Sequence, residues 1–64
     1  MADYGRELRK LLTEAGCRFV RPGKGDHEIW HSPIVDKNFT VDGTNRSRHT
    51  ANETLKQAGL PKKF

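Results

Sequence analysis

The histidines and the glycine-flanked lysine are the residues whose types and spacing are suited to chemistry. The most conspicuous grouping is His27-Glu28-Ile29-Trp30-His31, inside the stretch RPGKGDHEIWHSP. Its pattern, H-E-x-x-H, is the zinc arrangement of metalloproteases, where two histidines one helical turn apart share an ion. That chemistry requires a helix. On a helix, residues i and i+4 are displaced by about 6 Å along the axis. On a strand they share a face but stand about 13 Å apart, too far for two imidazoles to hold one zinc at about 2 Å. Gly-Lys-Gly lies just upstream, Ser-Pro follows directly, and Ile29 and Trp30 favour extended backbone. The stretch therefore reads as a strand. No spacing recruits His49 or Cys17 as further ligands, so neither a metal site nor another cofactor is expected.

His27 has a second possible use. It follows Gly23-Lys24-Gly25-Asp26, a glycine-bounded turn. Gly23 and Gly25 let the backbone approach a ligand closely, Lys24 supplies a cation, and an imidazole takes or gives a proton near neutral pH. A basic turn beside a histidine suits the holding of a phosphodiester and the deprotonation of a ribose 2′-OH, which is what metal-free RNA cleavage requires. The competing reading of the same residues is an ordinary surface histidine on a strand. His31 shares a strand face with His27 but is too distant to pair with it. Arg46, Arg48 and His49, before the last helix, are either contacts to an RNA backbone or a solvated polar loop.

These residues must be positioned by the elements around them. Leu8, Leu11, Leu12 and Ala15 recur at i, i+3, i+4 and i+7, predicting a helix over DYGRELRKLLTEAGC, with Asp3 as its cap and Gly16 ending it at positive φ. CRFVR reads as a short strand stopped by Pro22 and Gly23, DHEIWH as a second strand ended by Ser-Pro, and FTV as a third after the turn-like VDKN. In TANETLKQAGLP, Thr50 and Glu53 form a T-x-x-E capping box, Gly59 stands at the position that ends a helix, and Pro61 prevents continuation. The tail KKF reads as loose. The order α-β-β-β-α implies an α+β fold: an antiparallel three-stranded sheet with both helices on one face and the other face open to a partner. If His27 faces the open side, Trp30 joins Leu8, Leu11, Leu12, Phe19, Phe39, Val41, Leu55 and Leu60 in the core. The opposite register places Ile29 inside and leaves Trp30 free to stack on a base.

Composition narrows the class. The 64 residues form one domain, 1–64, with a small core. One cysteine allows no internal disulfide, which fits a reducing, cytoplasmic setting. The N-terminal decapeptide has no apolar run of a signal peptide, and nothing approaches the roughly 20 apolar residues of a membrane span. Twelve Lys and Arg against eight Asp and Glu give a net charge of +4, which favours anionic partners such as RNA, DNA or an acidic protein.

AGCRFVRPGKGDHEIWHSP, with HTANETLKQAGLPK toward the C-terminus, resembles the HicA family of toxins. The resemblance rests on Ala15-Gly16 at the end of the first helix, Gly25-Asp26-His27 at the opening of a strand, and Leu55-Lys56-Gln57-Ala58-Gly59-Leu60, and it spans roughly residues 5 to 62. It implies a double-stranded-RNA-binding-domain-like fold and an mRNA interferase, a metal-independent endoribonuclease of a type II toxin–antitoxin system that inhibits translation. It further implies a HicB-type antitoxin partner and an essential histidine, His27, acting as general base toward the 2′-OH or as acid toward the leaving 5′-oxygen. Lys24, Gly25, Arg46, Arg48 and His49 are then the candidate contacts to single-stranded mRNA. The chain departs from the family pattern at Asp26, where some members have Ser, at Glu28, where some have a second His, and at Val41-Asp42, where many have Val-Pro. A non-catalytic RNA-binding module of similar fold, and a small protein-binding adaptor, remain the competing functions.

Overall fold

The computed structural model describes residues 4–43 and 47–64. Its elements are α1 (Gly5–Glu14), β1 (Arg18–Pro22), β2 (Glu28–Ser32), β3 (Lys37–Val41) and α2 (Arg48–Gln57), in the predicted α-β-β-β-α order. Both helices end by the same device. Gly16 (φ +94°) and Gly59 (φ +86°) adopt the left-handed conformation open to glycine. In α1 the Cys17 N–H donates to Leu12 O at 2.9 Å, and in α2 the Leu60 N–H donates to Leu55 O at 2.8 Å. These reverse bonds satisfy carbonyls that a helix end otherwise orphans.

The helix starts differ from expectation. Ser47, not Thr50, caps α2: it is extended (φ −119°, ψ 126°) and its Oγ accepts from the His49 N–H at 3.2 Å. Thr50 therefore lies inside the first turn, and its carbonyl accepts from Thr54 Oγ1 instead. The extended backbone an N-cap needs falls at Ser47, three residues earlier than the T-x-x-E pattern suggests. Tyr4 holds the N-cap position of α1 without a side-chain cap, and the expected cap Asp3 lies outside the described residues.

The sheet is antiparallel in the order β1-β2-β3. Along β2 and β3 the pairs run from Glu28 opposite Val41 to Ser32 opposite Lys37, with Trp30 opposite Phe39. Strand alternation puts Trp30, Ser32, Phe39 and Val41 under the helices, and all four are buried. Ile29, His31, Asn38 and Thr40 point to the other face. Trp30 thus belongs to the core with Leu8, Leu12, Cys17, Phe39, Val41, Ala51, Leu55 and Ala58, while Leu11 and Leu60 pack at its margin.

Phe19 is the exception to the expected core. It lies opposite Trp30, and their rings meet edge to face at 6.3 Å. Yet Phe19 is half exposed, because the helices leave β1 uncovered and every one of its residues is exposed, whereas Phe39 and Val41 on the opposite edge strand β3 are buried. A register shift between Phe19 and Arg21 bulges the strand at Val20, which discourages further strand pairing at that edge.

Two features built on polar side chains, Ser32 and Asn52, also hold the layers together. Ser32 is fully buried; its Oγ donates to Ala58 O at 2.6 Å and accepts from the Ile34 N–H at 3.2 Å, tying the end of β2 to the end of α2. The C-terminal tail is not loose. Asn52 Oδ1 accepts from the Lys63 and Phe64 N–H groups, Asn52 Nδ2 donates to Phe64 O, and the Phe64 ring packs on Tyr4 at 5.1 Å.

Candidate active site

The turn between β1 and β2 closes tightly on itself. The Gly23 N–H donates to His27 O at 2.8 Å, and the His27 N–H donates to Lys24 O at 3.2 Å. Gly25 has φ +64°, and nothing lies within 4 Å of where a Cβ would stand, so its backbone borders open space. Lys24, Gly25, Asp26 and His27 are all exposed. Beneath the turn runs the exit of β3. A Cβ on Gly43 would stand 2.3 Å from Asp26 O, so only glycine allows the two backbones to meet there.

That close approach brings His27 to a partner the sequence reading missed. His27 Nδ1 lies 2.9 Å from Asp42 Oδ1, with the two side chains 51% and 39% exposed. The two residues sit one step beyond the last paired positions, Glu28 and Val41. The alternation that turns Glu28 and Val41 toward the helices turns His27 and Asp42 the other way. Only the cross-strand register could have revealed this pair, and a sequence without known strand ends does not supply it. The ring is held through Nδ1, and the side chain as a whole is half exposed.

The acidic neighbours of His27 are not all near it in space. Glu28 turns to the covered face, where Oε1 accepts from Arg9 Nε at 3.1 Å and from Trp30 Nε1 at 3.0 Å. The Trp30 hydrogen bond, with further help from the Arg9 hydrogen bond and charge, holds its carboxyl below the ordinary value; partial burial opposes this. Arg9 also reaches Asp42 O with Nη2 at 3.4 Å. Helix α1 thereby braces the backbone beside the histidine.

The other candidates separate. His31 is engaged at both ring nitrogens, by Asn38 Oδ1 at 2.8 Å and Asp36 Oδ1 at 3.5 Å. The H-E-x-x-H stretch is extended, with Glu28–Ser32 in β2, so its histidines do not lie one helical turn apart. Arg48 and His49 occupy the exposed first turn of α2, on a different element from the histidine turn. Three residues separate Gly43 from Ser47, four Cα steps that span at most about 14 Å, so α2 starts within reach of an extended ligand crossing the turn. Arg46 lies outside the described residues.

An antiparallel three-stranded sheet with two helices on one face, in α-β-β-β-α order, is a double-stranded-RNA-binding-domain-like fold. Here it presents a histidine from a basic, glycine-bounded turn. The family model for the HicA toxin of bacterial toxin–antitoxin systems matches residues 5–60, nearly the whole chain. The chain belongs to this toxin family. No curated protein and no solved structure matches it. No helix among the described residues is long and apolar enough to cross a membrane.

Proposed function

We propose that this toxin is an endoribonuclease, an mRNA interferase that cleaves single-stranded mRNA in the cytoplasm and so stops translation, with a HicB-type antitoxin as its inhibitor. His27 takes the proton from a ribose 2′-OH as that oxygen attacks the adjacent phosphorus. The bond from phosphorus to the 5′-oxygen breaks, a 2′,3′-cyclic phosphate forms, and the leaving oxygen is protonated by His27 or by water. Lys24 and the exposed backbone at Gly25 hold the phosphate and offset the charge that builds on it. Arg48 and His49, and Arg46 by its place in the same stretch of sequence, contact the flanking backbone. The steps need only proton transfer and charge stabilisation by side chains, so no metal enters them.

One observation carries this reading: His27 stands half exposed just before β2, held through Nδ1, on a turn that also displays Lys24 and the open backbone of Gly25. The experiment is expression of His27→Ala in a host lacking the antitoxin. Truncating a half-exposed side chain leaves no cavity and costs little stability. The variant is expected to fold, to permit growth and to leave RNA intact. Growth arrest equal to the parent's at equal expression sinks the catalytic role and leaves a non-catalytic RNA-binding module as the better reading.

A further inference from the structure

We infer that Asp42 is the positioning residue for His27, fixing which ring nitrogen carries the proton; the inference rests on the ribonuclease reading for its activity arm. Three carboxylates lie near His27 in sequence or space: Asp26, Glu28 and Asp42. Asp26 packs through its backbone against Gly43. Glu28 is bound to Arg9 and Trp30 on the covered face. Asp42 alone of the three is in contact with the ring, at 2.9 Å from Nδ1.

An ionised carboxylate is only an acceptor. In the neutral imidazole, Nδ1 must therefore carry the hydrogen that Asp42 accepts, and Nε2 is left with the lone pair. That is the form that can take a proton from a 2′-OH. Once Nε2 is protonated, the same carboxylate stabilises the imidazolium, and Nε2–H becomes the donor for the leaving oxygen. One contact thus prepares His27 for both halves of the reaction.

The placement of Asp42 is itself supported from two sides. Arg9 Nη2 donates to its carbonyl at 3.4 Å from α1. Gly43, the next residue, is pressed against Asp26 with no room for a Cβ. The carboxylate also has a cost. It adds negative charge beside a phosphate site, so its removal should not weaken RNA binding.

The test combines ¹⁵N NMR of the histidine rings with cleavage of a mixed-sequence single-stranded RNA by the purified protein and by Asp42→Asn, Asp42→Ala and Asp42→Glu. In the parent, neutral His27 is expected as the Nδ1–H tautomer. The Asn and Ala variants should lose about 10- to 100-fold in kcat, because a wrongly held imidazole loses about half, on a logarithmic scale, of an acid–base contribution of about 10²–10⁴. Their KM should stay level or fall, and their ring shifts should move toward the Nε2–H form. Asp42→Glu should recover part of kcat. A merely structural role would not produce this split between kcat and KM. Parent-like kcat in Asp42→Ala, or an Nε2–H tautomer in the parent, overturns the inference. Should the variants fail to fold, the tautomer of the parent decides alone. His27→Ala separates the two readings: if it cleaves like the parent, the ribonuclease role is lost. If it is inactive while Asp42→Ala is fully active, only the positioning role is lost.

Discussion

Arg9 and Glu28 meet on the covered face of the sheet, Nε to Oε1 at 3.1 Å, and Trp30 Nε1 donates to that same oxygen at 3.0 Å. One carboxylate thus anchors α1, satisfies the indole of a buried tryptophan and leaves Arg9 Nη2 free to reach Asp42 O. The core of the domain and the backbone at its histidine are joined through this pair.

The first prediction concerns Glu28 and acid. Its folded-state pKa lies below the ordinary value of 4.5, so the ionised form stabilises the fold. That contribution is fully present above the unfolded value and is lost as pH falls through the lower folded value. Glu28→Gln keeps an acceptor for Trp30 and gives up the charge, at a cost of about 0.5–1 kcal/mol near neutral pH. Glu28→Ala also orphans the indole N–H and should cost about 1–3 kcal/mol. Urea denaturation at neutral pH and below pH 4 checks both. The gap between parent and Gln should close in acid, and a constant gap would show that the charge is irrelevant.

A second prediction contrasts two glycines. A Cβ at Gly43 meets the backbone of Asp26, which cannot yield by a rotamer change. Gly43→Ala should cost about 1–3 kcal/mol and displace the turn bearing Lys24 and His27. A shift of about 1 Å at a reacting group is enough to lose about 100-fold in rate. At Gly59 a Cβ meets Ile34 Cγ2 at 2.8 Å at φ +86°, on a different loop. Gly59→Ala should lower Tm, its left-handed strain alone being about 1–2 kcal/mol, yet cleave RNA normally when folded. Thermal melts and RNA cleavage on both variants make the comparison. Equal activity loss in the two, both folded, would remove the argument that Gly43 acts through the turn.

Much of this architecture was legible because it follows from local pattern. Leucine spacing marked α1, Gly16 and Gly59 marked both helix ends, and alternation placed Trp30 opposite His27's face. What escaped needed information from across the fold. Phe19 alternates like a core residue, but the helices do not cover the edge strand that carries it. The tail looked loose because no local pattern shows that Asn52, 11 and 12 residues earlier, holds its last two N–H groups. Asp42 read as a departure from the family's Val-Pro; its contact with His27 appears only once Glu28 is known to face Val41.

A third prediction follows from charge. Each phosphate neutralised on a single strand releases counterions, so log K falls against log salt with a slope of about −0.7 per contact. Lys24→Ala, at an exposed turn, should reduce that slope by about one contact without changing the fold. Arg48→Ala should do the same if the strand continues past α2. Fluorescence anisotropy with a labelled single-stranded RNA, across a range of salt, reads both. An unchanged slope in Arg48→Ala confines the RNA path to the histidine turn, and a flat slope in the parent argues for a protein-binding adaptor.

The last prediction concerns inhibition. Membership in a toxin–antitoxin family implies pairing with an antitoxin, and the reading proposed above makes that antitoxin the inhibitor. The chemistry proposed for His27 makes its half-exposed ring the most direct group to cover. An acidic antitoxin segment laid across the turn would pair with Lys24 in place of phosphate, and its charge would speed association most at low salt. A specific interface of at least about 1,000 Å² in total is ample to cover a turn of five residues. In the complex with the antitoxin, His27 should therefore resist modification by diethyl pyrocarbonate. His49, exposed on the first turn of α2, serves as the reference for whether the covered surface extends that far. Mass spectrometry of the modified complex and of the free toxin gives the two rates. Protection at His27 with full inhibition supports direct occlusion. Equal modification of His27 in the inhibited complex and the free chain would mean that the antitoxin acts at another surface, with the edge strand β1 and its half-exposed Phe19 as the next region to examine.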